Sequence, residues 1–266
     1  MAIRDRELER QHPSRALPRL IAIDGPSAAG KSSVGHRLAQ RLGYDFLDTG
    51  AMYRALTRLA LDRGIDPSDT AALAYLARHV EMETGPPPSG ADESSIRADG
   101  RDITPLLREP SVEEAVSLVS CVPEVRQALV DMQRRIAACG PMVMTGRDIG
   151  TVVLPKAELK VYLDASPEER AHRRYLELKA MGRQTTPAQV LAEVRRRDSI
   201  DQGREESPLR PAPDAIVIST DGLPLEQVVE RILQLIEVVA KHPRLKPGAS
   251  MPQASACGRE ELCNDL

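Results

Sequence analysis

Residues 25–32 read Gly-Pro-Ser-Ala-Ala-Gly-Lys-Ser, the pattern G-x-x-x-x-G-K-[ST]. They follow a short apolar run, Leu20 to Asp24, and open a stretch with apolar residues at helical spacing, Lys31 to Leu42. A buried strand, a glycine-rich turn and a helix in that order form a phosphate loop. Gly25 and Gly30 let the backbone of Gly25, Pro26, Ser27, Ala28, Ala29 and Gly30 turn its N–H groups toward a polyphosphate, which the helix N-terminus also favours. Lys31 adds a point charge between β- and γ-phosphates, and the hydroxyl of Ser32 or Ser33 can ligate Mg²⁺.

The rest of the chain continues the alternation. Apolar runs of strand length recur at Tyr44 to Asp48, Met142 to Thr145, Lys160 to Asp164 and Ala215 to Thr220. Helical spacing recurs at Ala51 to Arg63, Glu124 to Ala138, Pro167 to Met181 and Leu223 to Lys241. Alternating strands and helices predict an α/β fold with a five-stranded parallel sheet covered by helices on both faces. Two regions interrupt the pattern. Residues 64–110 carry a Gly85-Pro86-Pro87-Pro88 turn between two possible strands, Val80 to Thr84 and Ser95 to Ala98, and read as a small inserted subdomain. Residues 165–211 form an arginine-dense helical excursion between core strands, the place for a lid beside a phosphate site. One α/β domain is therefore expected over 19–241, with disordered ends at 1–18 and 242–266.

Composition narrows the function classes. The 36 basic and 39 acidic residues nearly cancel, which argues against a nucleic-acid partner. No stretch approaches the ~18 apolar residues of a membrane span, and the start lacks a signal-peptide core. Cys121, Cys139, Cys257 and Cys263 show no CxxC spacing, so neither zinc nor a disulfide framework is implied. A monomer in the cytoplasm, acting on small molecules, is the expectation. Asn264 is the single asparagine, so the guanine-reading N-K-x-D motif is impossible.

Two further segments fall at the carboxyl edge of the expected sheet, where ligands bind in open α/β folds. Asp48-Thr49-Gly50-Ala51-Met52-Tyr53-Arg54 follows the second strand, and Gly146-Arg147-Asp148-Ile149-Gly150-Thr151 follows the third. Arg54 and Arg147 there, with Arg197 and Arg204 from the lid, would form a cationic basket opposite the phosphate loop. Such a basket suits a second phosphorylated substrate, because transfer between two anions needs charge neutralisation.

These pieces resemble the bacterial cytidylate kinases of the nucleoside monophosphate kinase family. The matching stretches are IDGPSAAGKSS, FLDTGAMYRAL, Ser117 to Arg126 (SxVSxxPxVR), GRDIGTVVLP, VYLDASPEERAHRR and RRRDSIDQGRE, in family order from Leu20 to Lys241. The resemblance implies ATP- and Mg²⁺-dependent phosphorylation of CMP or dCMP, with a core, a monophosphate-binding region enlarged by the insert, and a lid. Carried over by position, phosphate contacts fall on Arg54, Arg147 and Arg204, with Thr49 and Tyr53 beside them. Cytosine-reading groups fall on Ser117, Arg126 and Asp148, and ribose contacts on Asp201 and Arg197. Lys31, Arg147, Arg197 and Arg204 are the catalytic set.

The base assignment makes chemical sense. An acid can accept from the cytosine amine while Arg and Ser donate to its N3 and O2. Uracil would set a carbonyl against Asp148, and a buried unpaired acceptor costs about 1–3 kcal/mol. The competing role for Asp148 is to hold neighbouring arginines. The chain departs from the family at Thr145, where an Asp is common, and at Ser32-Ser33, where Gly-Thr is common; the tail beyond Lys241 has no expected counterpart. Two other readings compete, a phosphate-loop kinase for a different small acceptor and a nucleotide-binding regulator without turnover.

Overall fold

The structure, a computed structural model, describes residues 17–204 and 206–241. Of the ends expected to be disordered, 1–16 and 242–266 lie outside the described residues. In chain order the elements are β1 (Leu20–Asp24), α1 (Lys31–Leu42), β2 (Asp45–Asp48) and α2 (Thr49–Asp62). Then come α3 (Thr70–His79), β3 (Met82–Gly85), β4 (Ser95–Ala98), β5 (Arg101–Asp102), α4 (Pro110–Val119) and α5 (Pro123–Ala137). The chain continues through β6 (Met142–Gly146), a π-helical turn (Ile149–Val153), β7 (Leu159–Asp164), α6 (Pro167–Ala180), α7 (Pro187–Gln202), β8 (Ile216–Ser219) and α8 (Leu225–Lys241).

Five strands pair in parallel in the order β2-β6-β1-β7-β8. Their apolar runs are continuous because both faces are covered. Side chains alternate between two cores. Ile21, Ile23, Val143 and Val161 pack under α1 and α8, against Val34, Leu38, Val229 and Ile232. Ala22, Leu47, Met142 and Met144 face the opposite way, toward Met52, Leu56 and Leu129. Helix α1 lies close on the sheet at Gly35, where a Cβ would come within 2.5 Å of Thr145 Cγ2 and 2.9 Å of Phe46 Cε2. The expected five-stranded α/β sheet is what the chain forms.

Two expected boundaries and the content of the insert need correction. Helix α2 starts at Thr49 rather than Ala51, because the Asp48 carboxylate accepts the Gly50 N–H at 2.9 Å and caps the helix two residues early. The strand expected at Val80 to Thr84 runs from Met82 to Gly85, since the Val80 N–H is used by Leu76 O at 3.0 Å to finish α3. The insert holds α3 and a third strand besides the two expected, giving a separate antiparallel sheet, β3-β4-β5.

Helices α6 and α7 stand against each other over a small core of Ala171, Val190 and Val194. A capping box, Thr186 with Gln189, starts α7, and Ser166 caps α6 with Pro167 after it. Their other attachments are ionic. Arg170 on α6 grips Asp198 on α7 with two bonds of 2.9 and 2.5 Å and donates to Ser27 O at 3.3 Å. Arg174 and Arg183 both meet Glu113 on α4. Among the described residues no helix is long and apolar enough to cross a membrane.

Candidate active site

The carboxyl ends of β1, β2 and β6 lie side by side, with Asp24 level with Gly146 and Asp48 level with Thr145. The functional segments leave from these ends. The loop from Gly25 turns sharply at φ +151°, and a Cβ there would lie 2.2 Å from Leu163 O, so only glycine fits. Gly30 (φ +87°) then caps α1, whose first turn holds no acidic residue. The first N–H groups of that helix are thus available to an anion.

Lys31 Nζ donates to Pro26 O at 2.6 Å. Burial, and then the neighbouring Arg147 charge, lower this ammonium to about 7, against the pull of Asp48, Asp24 and Asp201. A polyphosphate would supply the countercharge. The two following hydroxyls diverge. Ser32 Oγ donates to the buried Asp48 carboxylate at 2.9 Å, whereas Ser33 Oγ donates to the exposed Asp92 at 2.5 Å. Among the described residues no cluster of three or more His, Cys, Asp or Glu could cage a metal. Ser32 and Asp48 do offer the few hard oxygens that Mg²⁺ takes beside substrate phosphates.

Across from this loop lies a cleft lined by Thr49, Gly50, Tyr53 and Arg54 of α2, Arg126 of α5, the Gly146-Arg147-Asp148 turn, and Arg197 and Arg204. Residues from five sequence regions therefore converge. Arg126 and Asp148 form an ion pair, both nearly buried. Arg126 also donates to Ser120 O at 3.3 Å, and its guanidinium stands 5.5 Å over the Tyr53 ring. Asp201, 1% exposed, lies between Arg147 and Arg204 and pairs with both. Burial would raise its carboxyl, but Arg147, Arg204 and Arg197 together hold it below its ordinary value. Arg54 pairs with Glu93 at 3.0 Å and more loosely with Asp48 at 3.5 Å. Burial, then Arg147, lower Arg197 to about 9, while burial pushes the Tyr53 phenol up to about 12.

The cleft has more donors than acceptors. The Nε atoms of Arg54, Arg126, Arg197 and Arg204 and the Tyr53 hydroxyl are buried without a hydrogen-bond partner. Buried donors left unpaired are costly, so their convergence marks a place for an acceptor-rich ligand.

Most residues expected for the acceptor line this cleft. Ser117 is buried but does not line it. The serine in the cleft is Ser120, which donates to Ser117 O at 3.1 Å and accepts from Arg204 at 3.0 Å. Serines three apart on one helix share a face, a signal already present in SxVS. Thr49 Oγ1 donates to Thr145 O at 2.9 Å and fixes the turn between β2 and α2. Asp24, Asp48 and Glu93 also belong to the site. Asp48 was legible from its place before Thr49-Gly50, but nothing in the sequence links the insert's Glu93 to Arg54. Asp24 is buried and accepts the N–H groups of Ile149 and Gly150, each at 2.7 Å. Its burial pushes the carboxyl up to about 7 even though both bonds pull it down.

Comparison with known proteins places the chain in a family. The cytidylate kinase family matches residues 21–238. A cytidylate kinase of Geobacillus kaustophilus is 50% identical over 216 residues, 81% of this chain and 95% of that one. One of Carboxydothermus hydrogenoformans is 47% identical over 216 residues, 81% of this chain and 96% of that one. Among solved structures, a gluconokinase from Sinorhizobium meliloti 1021 matches distantly, with 17% identity and a TM-score of 0.44 over 85% of this chain and 96% of that one. With half its aligned residues shared along nearly the full length of such a relative, the chain belongs to the cytidylate kinase family.

Proposed function

We propose that the protein transfers the γ-phosphoryl group of ATP to CMP or dCMP, giving CDP or dCDP. The observation that carries this reading is the set of unpartnered buried donors, four arginine Nε atoms and one phenol, gathered in one cleft beside the phosphate loop. A nucleoside monophosphate fills that need with its phosphate oxygens. The loop backbone and Lys31 hold the β- and γ-phosphates of ATP. Arg54, Arg147 and Arg204 hold the acceptor phosphate. Asp148 accepts from the cytosine amine, with Arg126 donating on its other edge; Ser117, outside the cleft, supports Ser120, which lines it. Arg197 and Asp201 meet the ribose.

A phosphate oxygen of CMP then attacks the γ-phosphorus, and the bond to the β,γ-bridging oxygen breaks, leaving ADP. Lys31, Arg147, Arg197 and Arg204 offset the negative charge spread over the transferring group, an electrostatic effect that is strongest in a site with little water. Mg²⁺, if bound, would supply positive charge against the phosphate oxygens. Ser32, with Asp48 beside it, is the residue that would hold the ion; Ser33 faces Asp92 instead. We read residues 64–110 as an insert in the acceptor region and 165–211 as a lid within a domain spanning 19–241. The exposed thiols of Cys121 and Cys139 fit a reducing compartment, the cytoplasm. The exposed large apolar side chains, such as Tyr75, Leu118 and Val217, lie on separate elements, which fits a monomer.

The test is coupled ADP release with CMP, dCMP, UMP and AMP side by side. CMP and dCMP should turn over well, UMP poorly and AMP least. No turnover with CMP, or equal turnover of CMP and UMP, overturns the proposal.

A further inference from the structure

Asp24 has no part in the transfer just described, yet its carboxylate is buried where the phosphate loop meets the segment after Asp148. It ends β1, and the next residue, Gly25, begins the phosphate loop. Its two oxygens divide cleanly. Oδ1 accepts the Ile149 N–H and Oδ2 the Gly150 N–H, both at 2.7 Å, from a segment more than a hundred residues away. Those amides begin the π-helical turn Ile149–Val153, whose preceding residue is Asp148. The first N–H groups of a helical turn have no partner within it. Asp24 supplies both acceptors from another strand.

Arg147 and Asp148 stand immediately before the anchored amides. The seat is close, since a Cβ on Gly150 would lie 3.2 Å from Asp24 Oδ2 and 3.1 Å from Lys160 Cδ. Lys160 itself is turned away, its Nζ donating to Pro155 O at 2.8 Å and to Asp214 at 2.9 Å. It does not compete for the Asp24 oxygens.

We infer that Asp24 is a positioning residue, whose carboxylate fixes the Arg147-Asp148 turn at a set distance from the phosphate loop and so aligns the acceptor nucleotide with the donor. The inference rests on the (d)CMP kinase reading. A carboxylate is required because it accepts at both ends; an amide of the same shape accepts at one and presents a donor at the other.

Two variants of the full chain, Asp24→Asn and Gly150→Ala, test it by two readouts. The first is amide hydrogen exchange in the free protein. Asp24→Asn should speed exchange at Ile149 and Gly150 about tenfold, the worth of one net hydrogen bond. The second is steady-state kinetics. Both variants should raise KM for CMP about tenfold on the same grounds, with KM for ATP within about twofold of the parent. A merely structural role would lower the amount of active protein and leave both KM values unchanged. That outcome overturns the inference, as does an equal rise in both KM values or unchanged exchange at the two amides. Gly150→Ala disturbs the contact from the other side, so it decides the matter should Asp24→Asn fail to fold. Absence of CMP-dependent ADP release in the parent protein would refute the kinase reading instead, while the exchange readout, made on the free protein, tests the anchoring independently of turnover.

Discussion

Replacing Asp148 by Asn separates its proposed base-reading role from its pairing with Arg126. The carboxylate is buried, paired with the buried Arg126 guanidinium, and lines the acceptor cleft. Removing one partner of a buried ion pair generally costs about 3–5 kcal/mol because the other charge is stranded. Arg126 keeps its bond to Ser120 O and its position over the Tyr53 ring, and Asn retains one acceptor oxygen. The loss should therefore be smaller, about 2–3 kcal/mol, which lowers Tm by roughly 5–10 °C in a domain of this size. On the substrate side, the cytosine amine loses an ionised acceptor, worth about 1–3 kcal/mol or about 5- to 150-fold in kcat/KM. Uracil loses nothing, because its carbonyl can accept from the new amide. The ratio of kcat/KM for CMP to that for UMP should fall at least about tenfold. ADP-release kinetics with both acceptors, and calorimetry on the same samples, measure the two effects separately. An unchanged ratio alongside a lowered Tm would refute base reading and leave Asp148 as a brace for Arg126.

Lys31 carries a proton prediction. Its ammonium is lowered to about 7, so at pH 8 it is mostly neutral in the free protein, and nucleotide phosphates should restore its charge. ATP binding at pH 8 should then take up close to one proton, seen as binding heats that depend on the ionisation enthalpy of the buffer. Lys31→Ala should remain folded and lose both that dependence and phosphoryl transfer; equal heats in all buffers for the parent would refute the assignment. Packing between α1 and β6 gives a second test. Gly35→Ala drives a Cβ against Thr145 Cγ2 and Phe46, and should cost about 1–3 kcal/mol. Thr145→Ala removes that methyl together with a buried hydroxyl that has no partner, so the double variant should recover at least about 1 kcal/mol in a denaturant-melt cycle, and strict additivity would refute the clash.

The core of the fold was legible because its signals are local. A strand ending at an acid, a turn of fixed glycines and a helix are contiguous between Leu20 and Leu42, and parallel strands buried on both faces read as plain apolar runs. The arginine basket was legible through its motifs, since each stands at a strand end or on the lid. What escaped were contacts made across the chain. Glu93 reaches Arg54 from the insert, and Asp24 reaches amides beyond β6; neither leaves any periodic trace. Helix α3 was missed because the Pro-rich turn beside it drew the whole insert toward strands. The choice between Ser32 and Ser33 also needed three dimensions, because adjacent helical residues differ by about 100° in direction, enough to send one to Asp48 and the other to Asp92.

The way α6 and α7 are attached bears on how the proposed lid would open. Its own core is three buried side chains with Tyr175, Leu178 and Leu191 packed against them, and it is tied to α4 by Arg174 and Arg183 on Glu113. An apolar seam must be hydrated all at once to part, whereas partly exposed ion pairs can trade partners with water and ions one at a time, at about 1 kcal/mol or less each. If α6 and α7 open as the proposed lid, they should do so in small steps sensitive to ionic strength. Raising salt should loosen the far end of the lid first. Its base is held differently, since Arg170 is buried and fixed to both Asp198 and the phosphate loop, and there the hinge stays shut.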